Sequence, residues 1–128
     1  MLKSPLFILF LWVLIWIGLL NVLTLAFHLY SAIFSFDMVM HFSGGFFVSI
    51  GALTVLTCNR TDFSYGQLLF WAVSTALIIG LLWELFELYF GITYLYSPDY
   101  IGDNGMDVTM DIAGGFMCAV YSYYKLKQ

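Results

Sequence analysis

From Leu6 to Phe27 the chain reads LFILFLWVLIWIGLLNVLTLAF, 22 residues without a charge. As a helix rising 1.5 Å per residue, a run of that length crosses the roughly 30 Å hydrocarbon core of a bilayer. Its backbone leaves no other choice there. With no water in the core, every N–H and C=O must be bonded within the segment, and only a helix does that for a single span. Three further windows reach the same length, at about 38–57, 68–90 and 106–124, although the second and fourth carry ionisable groups at their starts and the third near its end. A chain that is 62% hydrophobic and 9% charged also has too little polar surface to coat a soluble globule. The expectation is an all-α integral membrane four-helix bundle, with helices at about 6–27, 38–57, 68–90 and 106–124 and residues 1–128 as one transmembrane domain.

Lys3 ahead of an apolar run has the outline of a signal peptide, but the run exceeds a usual h-region and no small-x-small cleavage site follows, so the segment is expected to be retained. Cys58 and Cys118 have no paired spacing and are expected to stay unbridged.

The charges segregate. Lys3, Arg60, Lys125 and Lys127 fall before helix one, between helices two and three, and after helix four, all on one side. The positive-inside rule makes that side the cytoplasm, which predicts a multi-pass membrane protein with both termini inside. Of the eight carboxylates only Asp62 is cytoplasmic in this scheme; Asp37, Glu84, Glu87, Asp99, Asp103, Asp107 and Asp111 belong to the outer loops or outer helix turns.

Six ionisable groups fall into three pairs at helical spacing: Asp37 with His41, Glu84 with Glu87, and Asp107 with Asp111. Side chains three or four apart share a helix face. A carboxylate costs about 3 kcal/mol at the bilayer centre and less near the interface, so five of them are expected to face inward and meet. The outer half has no Lys or Arg to neutralise them. Either protons or a divalent cation must relieve the repulsion. Oxygen-rich donors with an imidazole favour Mg, Mn or Ca, with Fe or Zn as a second choice. Asp37, His41, Glu84, Glu87, Asp107 and Asp111 are the candidate metal ligands. The blander alternative makes these groups interhelical hydrogen-bonding glue or helix N-caps.

One pattern is stated twice. DMVMHFSGGF (37–46) returns as DVTMDIAGGF (107–116), with Asp111 in the place of His41, and FHLY (27–30) is echoed by FELY (86–89). Both long segments start on the outer side, which suggests two parallel two-helix repeats about an axis along the membrane normal. The glycine pairs Gly44–Gly45 and Gly114–Gly115 would let the helices approach closely and draw the polar groups together. The connector YFGITYLYSPDYIGDNG reads as a tyrosine-rich interfacial anchor, or more sharply as a lid over the acids.

FDMVMHFSGGF, WELFE and GDNGMDVTMDIAGG resemble the small bacterial inner-membrane family that includes YjdF, and more distantly the VanZ-like family. The resemblance covers about the last ninety residues and points to Asp37, His41, Glu84, Glu87, Asp107 and Asp111. It implies a cell-envelope setting and little defined biochemistry.

The readings of function come from three classes. The first is a metal-dependent hydrolase or transferase of lipid-linked phosphates, with His41 and Glu84 as catalytic groups and His28 as an alternative base. The second is a cation or proton transport component, weakened because the cytoplasmic halves of the helices carry no ionisable group. The third is a noncatalytic membrane scaffold subunit. Expected partners are membrane lipids, a lipid-linked substrate and a second copy of the chain; nucleic acid is not expected.

Overall fold

The computed structural model describes residues 4–29, 33, 35–58, 62–91 and 100–127. Among the described residues four helices follow one another: α1 (Pro5–Phe27), α2 (Phe36–Leu56), α3 (Tyr65–Phe90) and α4 (Tyr100–Leu126). Lys3, Arg60 and residues 92–99 of the tyrosine-rich connector, Asp99 among them, lie outside the described residues.

Local chemistry sets the ends. Pro5 starts α1, where its missing N–H costs no bond, and His28 ends it in a left-handed conformation with its N–H on the Thr24 carbonyl. Ser64 and Gln67 form a reciprocal capping box, so α3 begins at Tyr65, three residues earlier than its apolar run suggested. Gly91, at φ 67°, stops it. The largest difference is in α4, which starts at Tyr100 and not near 106. Gly102, Asn104 and Gly105 read as loop residues, yet Asp103, Asp107 and Asp111 continue one stripe at four-residue spacing back into the first turn. Asp103 in that turn and Lys125 in the last complement the helix dipole.

α2 and α4 run parallel and cross closely, α3 packs antiparallel on both, and α1 lies against α2 while touching α4 only slightly. Small residues make the crossing. A Cβ added at Gly45 would collide with the Asp111 carbonyl oxygen and stand 2.6 Å from its Cα; one at Gly114 would collide with the Phe42 carbonyl and stand 2.6 Å from the Phe46 nitrogen. These contacts are reciprocal between the two helices, but they pair Gly45 with Gly114 (offset 69), where the sequence echo pairs Gly45 with Gly115 (offset 70). Gly115 turns instead to α3, against Ala72 and Ala76. The two-helix echo therefore stays local to α2 and α4: α3 touches both of them, and α1 has no equivalent position.

Below the crossing, Leu6, Ile50, Leu53, Leu68, Ala72, Cys118 and Ala119 form the apolar core. Ser49 Oγ donates to the Ala72 carbonyl across it at 2.8 Å. Both cysteines are free thiols.

The surface inverts the soluble-protein rule. Trp12, Ile15, Val22, Val55 and Phe70 are each at least 60% exposed, while His41, Glu84, Asp107 and Asp111 are buried. Such a molecule suits lipid as its solvent. α1, α2 and α3 are each long and apolar enough to cross a membrane. α4 is as long but too polar overall to fall in that class, and two of its carboxylates, Asp107 and Asp111, face the bundle interior.

Candidate metal centre

The parallel start of α2 and α4 and the antiparallel end of α3 bring His41, Asp107, Asp111 and Glu84 to one depth. His41 is the hub. Its Nδ1 lies 3.1 Å from Asp111 Oδ2, and both side chains are buried. At the other edge of the ring, Nε2 faces Asp37 Oδ1 at 3.8 Å, Glu84 Oε1 at 3.8 Å and Asp107 Oδ2 at 4.0 Å. Three helices thus supply three carboxylates to one imidazole nitrogen.

Glycines make this convergence sterically feasible. Gly45 brings the α4 backbone in, and Gly80 of α3 opens the space that the Asp111 carboxylate fills: a Cβ there would collide with Oδ2 and stand 3.0 Å from Cγ. Gly80 was not among the residues the motifs singled out. A lone glycine amid an apolar helix carries no mark of what faces it.

Two observations make the donor set fit a divalent cation. Asp37, His41 and Asp107 each offer one ligand atom within 4.8 Å of the others. Glu84 is only 7% exposed, and neither of its oxygens has a hydrogen-bond partner among the described residues. A buried carboxylate left so costs several kcal/mol unless a proton or cation joins it. Octahedral Mg ligation at about 2.1 Å needs neighbouring donors about 3.0 Å apart, and Ca ligation at about 2.4 Å needs about 3.4 Å. The Nε2-to-oxygen separations of 3.8 to 4.0 Å exceed these by roughly 0.4–1.0 Å, so the side chains close in on an ion when they hold one.

The expected residues take different positions. Asp111 meets the ring at Nδ1, not beside the other carboxylates, which is where a carboxylate orients a metal-binding histidine and fixes its tautomer. Glu87 accepts a hydrogen bond from Trp83 Nε1 at 2.9 Å, one turn from Glu84. Asp37 remains nearly half exposed and forms the open side of the cluster. His28 is the cap residue of α1.

A cavity of about 260 Å³ leads to the cluster between α1 and α3, reaching His41 and Asp111 past Asp37 and Glu87. Asn21 lines it from α1. That amide also escaped the sequence reading, although a lone Asn in an apolar span is itself a signal, because polar groups there face protein or a cavity.

Among known proteins, the model of the family described as "Predicted membrane protein (DUF2238)" matches residues 3–128, and the chain belongs to that family. It is the family, including YjdF, that the motifs of α2 to α4 resemble. The VanZ-like likeness is unsupported by any match. No curated protein and no solved structure matches the chain.

Proposed function

We propose that this family member binds a divalent cation at the acidic end of its bundle and uses it to hydrolyse or transfer the phosphoryl group of a lipid-linked substrate. The observation that carries the reading is the two-sided environment of His41: Asp111 on Nδ1, and carboxylates of Asp37, Glu84 and Asp107 around Nε2. Asp37, His41 and Asp107 would hold the ion, with Mg, Mn or Ca favoured by the oxygen-rich set and Fe or Zn as alternatives. When bound, the ion supplies the positive charge that polarises a phosphoryl oxygen, which no Lys or Arg supplies at this end. Nδ1–H of His41 donates to Asp111, which leaves Nε2 to the ligand set. Glu84, buried without a hydrogen bond, takes the proton of the attacking water or hydroxyl as that oxygen bonds to phosphorus, and returns it to the leaving oxygen as the old phosphorus–oxygen bond breaks.

Charge supports an orientation. Lys125 in the last turn of α4 and Lys127 just after it stand at the pole opposite the cluster, and by the positive-inside rule we read that pole as the cytoplasmic side of a bacterial inner membrane, in keeping with Lys3 and Arg60 on the same side of the expected spans in sequence. The site then faces outward, away from cytoplasmic ATP, which favours hydrolysis or exchange over a kinase reaction. A cation or proton relay is the weaker reading, since α1, α2 and α3 carry no ionisable side chain between the cluster and the basic pole.

The test is phosphate release from phosphatidate or a polyprenyl pyrophosphate in proteoliposomes. We expect release that needs Mn or Mg and is lost in Glu84→Gln. Release insensitive to chelator, or none from a panel of lipid phosphates by ion-loaded protein, would favour the scaffold or transport reading.

A further inference from the structure

We infer that the cleft between α1 and α3 is a binding groove for one apolar chain of a lipid whose phosphate head lies at His41; the head's position rests on the cation reading above, and the chain's does not. α1 packs on α2 and α3 packs on α2, but α1 and α3 make no backbone approach to one another. The gap between them is the cavity that ends at His41 and Asp111.

The lining changes character along its length. At the acidic end stand Asn21, Asp37 and Glu87; deeper come Ile17 of α1, Val48 of α2 and Ile79 of α3. Phe47, stacked on Phe10 of α1 at 4.9 Å between centroids, closes α1 on α2 at the deep end. From Asp37 to Val48 the groove follows α2 for eleven residues, about 16 Å at 1.5 Å per residue. A polar end joined to a narrow apolar trough is the shape of an amphiphile.

The size selects the occupant. At about 260 Å³ the cavity falls just below the range of roughly 300–1,000 Å³ in which sites enclose a whole small molecule. It suits a head and the first part of one chain, with the remainder in the bilayer. A partner helix, about 10–12 Å across with its side chains, is too thick to enter it. The cavity lies between two spans that do not meet among the described residues, which gives a lipid a route to the cluster from within the membrane.

The experiment uses the full chain in phosphatidylcholine vesicles doped with dodecyl phosphate bearing a diazirine at mid-chain. After photolysis we expect adducts concentrated on Ile17, Val48 and Ile79 over outward-facing Trp12 and Phe70, and displaced by unlabelled dodecyl phosphate. Val48→Trp, which fills the trough away from the cluster, should lower the groove adducts about tenfold; Ile79→Ala, which widens it, should retain them. Label spread evenly over lipid-facing side chains, or undiminished in a Val48→Trp protein that melts like the parent, would overturn the groove. Bound Mn measured on the same samples separates the two claims. Groove labelling without any bound ion would remove the cation reading and leave the groove; bound ion with evenly spread label would do the reverse.

Discussion

Replacing Gly45 by Ala tests whether the α2–α4 crossing holds the cluster together. The added Cβ would stand 2.6 Å from Asp111 Cα, where ordinary contact begins at 3.4 Å, and the obstacle is backbone. Clearing the Cα alone takes a local separation of about 0.8 Å, and the carbonyl oxygen stands nearer still, so at least that much must open, although close-packed interiors yield little. The same displacement takes the 3.1 Å His41–Asp111 contact to about 3.9 Å, past hydrogen-bonding reach. Overpacking costs about 1–3 kcal/mol, and a charge-assisted hydrogen bond about 1.5–3 kcal/mol. The expected loss is therefore roughly 2.5–6 kcal/mol, or on the order of 10–20 °C in melting temperature for a chain of this size. Gly44→Ala is the control, because its Cβ would find its nearest neighbour, Asp111 Oδ1, at 3.9 Å. It should be neutral or slightly stabilising, since Ala is the better helix former by up to about 1 kcal/mol. Thermal unfolding of both variants in detergent, followed by tryptophan fluorescence in chelator, reads the difference. Equal melting of the two, or a Gly45→Ala protein as stable as its parent, would refute a crossing this tight.

Glu84→Gln should show opposite signs in two conditions: in chelator it removes a buried carboxylate that accepts no hydrogen bond and raises the melting temperature by several degrees, while the further rise caused by Mn shrinks. An unchanged Mn-dependent rise would take Glu84 out of the ion's surroundings. Gly80→Ala should push the Asp111 carboxylate off Nδ1 and weaken Mn binding about 10–100-fold, the usual effect of losing a group that orients a ligand; wild-type affinity would show that Asp111 does not orient the ring. Ser97→Cys in a Cys58→Ala background should react with a membrane-impermeant thiol reagent from outside intact cells, and reaction only after permeabilisation would reverse the orientation.

Much of the frame is legible in the sequence because bilayer thickness and backbone hydrogen bonding leave few options. The three apolar spans follow from length alone, and the i, i+3 and i, i+4 pairs already place the carboxylates on shared faces. The unread parts depend on neighbours. Which edge of the His41 ring Asp111 would meet depends on the α2–α4 register, set by Gly45 and Gly114 one residue away from the sequence echo. Glu84 and Glu87 look equivalent in WELFE, yet Trp83 bonds only the second. The early start of α3 was readable in Ser64 and Gln67. The early start of α4 was hidden by Gly102 and Gly105, whose low helix propensity is overridden there.

Calorimetric titration of Mn into chelator-stripped protein tests for a divalent-ion site at His41. We expect saturable binding of one ion per chain, weakened at least tenfold in His41→Gln and in Asp107→Asn, with both variants still folded in chelator. No saturable binding by the parent protein, or parental affinity in both variants, would contradict it.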